Sequence, residues 1–154
     1  MKRIYYFLVL TFLAVSAVSI VSCKDDDDDS ELYGNWPPME WESNGDVVNE
    51  KGVYIIAAKG ESVSFTCKNY SLVWIGNAYL VDGSYITPDY SQQCMFLQGG
   101  WFEAKMSGNV LTVVFPQNDT LGERGVSLKV TGGDIFYDFC FKQLADNKIV
   151  DKTI

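Results

Sequence analysis

WFEAKMSGNVLTVVFPQNDTLGERGVSLKVTGGDIFYDFCFKQ, residues 101–143, is the stretch that decides the fold. Three runs rich in β-branched and aromatic residues, 110–115, 126–130 and 135–141, are separated by clusters of Gly, Asn, Asp, Thr and Pro. Strand formers punctuated by turn formers predict antiparallel strands joined by short turns. In the last run Ile135, Tyr137, Phe139 and Phe141 alternate with Phe136, Asp138, Cys140 and Lys142. A period of two therefore puts one wholly apolar face opposite a mixed one. That apolar face has to be covered by another sheet, so the stretch predicts an all-β sandwich of antiparallel strands.

Working upstream, residues 53–58 form the first well-marked strand. Lys59-Gly60-Glu61 then turns the chain into 63–67, which alternates with period two. Residues 68–71 break the pattern, 72–75 resume it, and 78–81 continue it past Gly76-Asn77. From 82 to 100, DGSYITPDYSQQCMFLQGG, the alternation is lost, and a long loop is expected there. Residues 31–52 carry Trp36 and Trp41 on either side of Pro37-Pro38. Proline cannot donate to a ladder, so this segment is expected to be an extended strap or an edge strand. The sandwich is expected over 53–144, with a tail at 145–154 that adds a short edge strand or frays. No internal repeat, heptad pattern or amphipathic helix is visible.

The N-terminus has the three parts of an export signal over 1–22: Lys2 and Arg3, an uncharged apolar run, then small residues. Ser19-Ile20-Val21-Ser22-Cys23 resembles a bacterial lipoprotein signal, which implies lipid attachment at Cys23. Lys24 and the run Asp25 to Asp29 follow directly. That acidic run resembles the tag that sends lipoproteins to the outer face of the outer membrane in Bacteroidetes. Read physically, 23–30 is a solvated tether, because five adjacent like charges repel. The expected location is the outer membrane, lipid-anchored and facing the exterior. Of 12 basic and 20 acidic residues, removal of Lys2 and Arg3 leaves 10 against 20, a net charge of −10. Such a balance repels phosphate backbones and argues against nucleic acid as a partner.

The chain has no histidine. Ser-His and Cys-His nucleophile pairs and the usual zinc sites are therefore not available. The carboxylates Glu61, Asp82, Asp89, Glu103, Asp119, Glu123, Asp134 and Asp138 lie mostly in turn-rich sequence and are expected as solvated groups rather than as a glycosidase pair. No catalytic residue, metal ligand or cofactor is expected, and the chain is not expected to be an enzyme. Cys67, Cys94 and Cys140 are odd in number and lack the pattern of a disulfide framework, so free thiols are expected. Cys67 lies in phase with Val63 and Phe65, whereas Cys140 faces away from Phe139 and Phe141.

Trp101, Leu111-Thr112-Val113, Asn118-Asp119-Thr120 with Arg124, the strand at 126–130 and the ending Phe139-Cys140-Phe141-Lys142-Gln143 together resemble a BACON domain (Bacteroidetes-associated carbohydrate-binding often N-terminal). With Phe65 and Trp74-Ile75 included, the resemblance spans 53–143. It implies an immunoglobulin-like β-sandwich that binds glycans or mucin, with a structural or spacer subunit of a surface complex as the alternative. The residues themselves give Arg124 and Gln143 structural roles, the guanidinium meeting turn carbonyls or a carboxylate and the amide tying strand ends. Aromatics make up 14% of the chain, and sugar rings stack on exposed aromatic faces. Trp36, Trp41, Tyr85 and Tyr90, all in turn-rich segments, are the candidate ligand-binding residues. Trp74, Trp101, Phe139 and Phe141 are expected in the core. Asp119-Thr120-Leu121 resembles a bacterial O-glycosylation signal and makes Thr120 a candidate for modification, although a threonine after aspartate in a turn commonly bonds its own backbone.

Overall fold

A computed structural model describes residues 36–146. The signal segment, Cys23, the acidic tether and tail residues 147–154 lie outside the described residues. Among the described residues, eleven strands, numbered in chain order, form two packed sheets. The five-stranded sheet runs β1 (Trp41–Ser43), β4 (Glu61–Cys67), β9 (Val110–Phe115), β8 (Glu103–Ser107) and β7 (Phe96–Gln98). The six-stranded sheet runs β2 (Val48–Glu50), β3 (Val53–Ile56), β11 (Phe136–Gln143), β10 (Arg124–Thr131), β5 (Trp74–Leu80) and β6 (Tyr85–Ile86). No α-helix occurs among the described residues. The protein is an all-β sandwich.

Alternation in the sequence places the core. Val63, Phe65 and Cys67 of β4, Leu111, Val113 and Phe115 of β9, Val126, Leu128 and Val130 of β10, and Phe139 and Phe141 of β11 all point inward and are buried. At the centre Phe65 meets Phe139 at 4.8 Å and Tyr54 at 4.7 Å between ring centroids. Full burial of such a side chain contributes about 1.5–3 kcal/mol relative to exposure, so these rings dominate the packing. Gly60 makes the passage from β3 to β4 possible. Its φ is +80°, and a Cβ there would lie 2.4 Å from the Phe115 carbonyl oxygen.

Three sequence expectations need correction. The strands are not all antiparallel, because β3 pairs parallel to β11, with Cys140 beside Val53 and Gln143 beside Ile56. Both strands finish at the same end of the sandwich, where the Gly60 turn hands the chain to the opposite sheet. The sandwich also starts before residue 53: β1 and β2 are edge strands paired to β4 and β3. Finally, 82–100 is not a structureless loop. It supplies the short edge strands β6 and β7 and a 3-10 turn over Tyr90–Gln92, and so carries the chain from one sheet to the other. Leu97 is fully buried, and the Ile75 and Met106 amides donate to the carbonyls of Cys94 and Met95.

A polar clamp closes the end where β3 and β11 finish. Gln143 continues the inward phase of Phe139 and Phe141 and is fully buried. Its Nε2 donates to the Pro116 carbonyl at 2.8 Å and to that of Ala57 at 3.3 Å, while its Oε1 accepts from Arg124 Nε at 2.9 Å. Arg124 also donates to the Pro116 and Gln117 carbonyls and lies 4.7 Å from the Trp101 ring centre. Burial lowers the Arg124 pKa, with Asp119 opposing. Asn118, also buried, donates to the Gly122 and Leu144 carbonyls. Arg124 and Gln143 thus have the structural roles that their chemistry suggests.

Candidate functional site

The outward faces of the two sheets differ in chemistry. On the five-stranded sheet the outward positions include Ser62, Ser64 and Thr66 of β4 and Thr112 of β9, a hydroxyl-rich surface on which Val114 is the large exposed aliphatic. On the six-stranded sheet Val48, Tyr79, Tyr85 and Phe136 are exposed, with Val81 just past the end of β5. Isolated exposed hydrophobic residues are ordinary on a protein surface; concentration on one face points to contact with something.

Strand register makes that face concave. One row crosses the sheet as Val53, Cys140, Ser127, Tyr79 and Tyr85, each directly opposite the next. In the neighbouring row Lys142 stands opposite Gly125. Gly125, Ser127 and Cys140 are small and occupy the central strands, so the middle of the face is low and its margins are high. The result is an open depression of about 480 Å³ with Val53 on one side and Tyr79 and Val81 on the other. Its size falls within the range of small-ligand sites.

Tyr79 rims this depression and Tyr85 backs it from outside, 48% and 53% exposed, with ring centroids 4.9 Å apart and planes tilted by 55°. They form a bent aromatic edge rather than a flat platform. Polar groups are few. The Ser127 hydroxyl lies 4.0 Å from the Cys140 sulfur, and Lys142 Nζ pairs with Glu123 at 2.7 Å. An aromatic rim, an apolar floor and sparse polar groups can bind a partly apolar ligand. Nothing in this arrangement constitutes a nucleophile–base pair. Among the described residues, no group of His, Cys, Asp and Glu could hold a metal ion.

Of the residues singled out from the sequence, Tyr85 reaches the margin of this site through its ring contact with Tyr79 but does not line the depression. Trp36 and Tyr90 are exposed at 58% and 70% but share no ring contact with it. Trp41 has to be withdrawn as a ligand-binding residue. It stands opposite inward-facing Cys67 in the β1–β4 register, so its side chain enters the sandwich and meets Phe139 edge-on at 4.9 Å. Trp74 and Trp101, expected in the core, are only partly buried; Trp101 packs against the core margin at Phe102 and Phe115. Cys67, Cys94 and Cys140 are free thiols. Thr120 is exposed, and its hydroxyl lies 2.7 Å from Asn118 Oδ1, within donating distance, and 3.0 Å from the Gly122 carbonyl. Tyr79 was missed as a site residue, since a Tyr between Ala78 and Leu80 reads as one more residue of an apolar strand.

No protein-family model matches the chain, and no curated protein does. Among solved structures the chain is similar to an NMR structure of a protein from Bacteroides thetaiotaomicron. The two share 29% identity at a TM-score of 0.62, over 75% of this chain and 94% of the other. That neighbour supports the sandwich architecture.

Proposed function

We propose that this chain is a non-enzymatic lipoprotein, anchored by lipid at Cys23 in the outer membrane and facing the exterior, whose sandwich binds glycans through the outer face of the six-stranded sheet. The observation that carries the ligand assignment is the exposed Tyr79–Tyr85 edge beside a concave floor, on one sheet face and not on the other. Tyrosine offers a ring face for the C–H side of a sugar and a hydroxyl for its edge. The immunoglobulin-like assignment is part of the proposal. The orders β1-β4-β9-β8 and β11-β10-β5 correspond to the ABED and GFC orders of that fold, and a BACON-like resemblance agrees with them. The address rests on the signal, Cys23 and the acidic run, and the similar protein from Bacteroides thetaiotaomicron fits it.

A glycan array probed with the chain from Glu31 onward tests the ligand. Binding that is lost in both Tyr79→Ala and Tyr85→Ala is expected; absence of any glycan signal refutes the assignment. Fractionation of cells expressing wild type and Cys23→Ala tests the anchor, because only the wild type should remain with the membrane. A second reading, a spacer or protein-binding subunit, is favoured by Val48 and Phe136, which are exposed on the same face outside the depression. It predicts binding that survives loss of both tyrosines.

A further inference from the structure

The depression is specific in what it offers, and its features narrow the ligand beyond glycans in general. Gly125 lets Val81 fold in as one wall of the hollow: a Cβ at Gly125 would lie 2.7 Å from Val81 Cγ2, so any side chain there displaces Val81. Val53 and Val81 stand on opposite sides of the floor, to which Ser127 and Cys140 supply one hydroxyl and one thiol. A pyranose carrying only hydroxyls would leave some of them unpaired against this floor, at a cost in affinity. An apolar substituent on the ring would lose nothing there.

Charge narrows the class again. Two cations stand at the end of the depression, and both are engaged: Lys142 by Glu123 at 2.7 Å, and Arg124 by Gln143 and two backbone carbonyls. An acidic sugar would meet no cation that lacks a partner, on a chain that is already negative. We propose, building on the glycan-binding reading above, that the site selects a neutral sugar bearing a methyl group, as an N-acetyl or a 6-deoxy substituent. The methyl sits on the floor of the depression between Val53 and Val81, and the ring lies against Tyr79.

Binding isotherms on the full-length protein in detergent micelles test this, comparing N-acetylglucosamine with N-formylglucosamine and L-fucose with L-galactose. One methyl in an apolar pocket is worth about tenfold or more, so at least one pair should differ by that factor, and the pair that differs identifies the substituent. Val81 is 85% exposed, so Val81→Ser removes one wall with little risk to the fold, and it should bring that ratio to within about twofold while the plain sugar still binds. Gly125→Ala should do the same by displacing Val81. Equal affinities within both pairs, with binding still abolished by Tyr79→Ala, would overturn the methyl selection and leave glycan binding standing. Binding of an apolar peptide and of no sugar would overturn both.

Discussion

Gln143 and Arg124 allow a quantitative test of what holds the open end of the sandwich together. Gln143→Leu keeps the volume and the burial but deletes the amide. The 2.8 Å bond to Pro116 is a neutral hydrogen bond of about 1 kcal/mol, and the bond from Arg124 is charge-assisted and contributes about 2. The Pro116 and Ala57 carbonyls keep other donors, Arg124 and the Gly60 amide, so the carbonyl side adds little. The expected loss is about 3 kcal/mol, a large fraction of the 5–15 kcal/mol of an ordinary domain. Arg124→Met keeps the aliphatic stem near Trp101, removes the guanidinium and leaves Gln143 Oε1 buried without its donor. It should also cost about 3 kcal/mol.

Because the two substitutions remove the same Nε–Oε1 bond, they should not add. The double variant is expected near 4 kcal/mol rather than 6, a coupling of about 2. Urea denaturation of the chain from Glu31 onward measures all three. Each single loss should lower the midpoint by about 1–3 M with the slope unchanged. Additivity within about 0.5 kcal/mol, or single losses below about 1, would refute the clamp as an energetic unit and reduce it to a set of weak contacts.

Other consequences are simpler to check. Phe65→Ala removes a fully buried ring that contacts Tyr54, Phe139 and Phe141, and should cost about 3–5 kcal/mol in the same assay. The Asp89 carboxylate accepts from the Ser91 amide and hydroxyl and from Gln92, bonds led by the Ser91 side chain that lower its pKa below the ordinary 3.8. Its contribution is therefore complete above pH 3.8 and lost as pH falls through the lowered value, so protection of the Ser91 amide should fall only below that pH and be absent throughout in Asp89→Ala. If Thr120 carries a glycan, the intact mass of native protein should exceed that of Thr120→Ala by more than the side-chain difference; equal unmodified masses leave Thr120 as a turn residue bonded to Asn118.

Local alternation made β4, β9, β10 and β11 legible, because each is long enough for inward and outward residues to declare a phase. β6 and β7 were not legible. They are two and three residues long, Pro88 lies between them, and what fixes them is their partners: the β5 edge, the β8 edge and the pocket that takes Leu97. The parallel placement of β3 beside β11 joins residues more than 80 positions apart. No local pattern specifies such a pairing. Trp41 illustrates a different ambiguity, since a three-residue strand after two prolines has no phase to read, and only its pairing with Cys67 sends the ring inward.

The candidate site depends on one irregularity that alternation alone would misread. Val73 and Ile75 point into the core, and strict continuation would carry Asn77 and Tyr79 inward after them. The register of β5 against β10 shifts between Lys129 and Val130, where Ile75 faces Val130 but Asn77 faces Lys129. The extra residue is a β-bulge, which reverses the phase of everything beyond it. Ala78 is then buried, Leu80 packs on the core, and Tyr79 emerges on the outer face opposite Tyr85. Gly76 suits the position, since an added Cβ would stand 3.4 Å from the Lys129 carbonyl oxygen, against the facing strand. The same reversal directs Val81 outward over Gly125, so one inserted residue places both the aromatic rim and the apolar wall on the face where the ligand is proposed to bind.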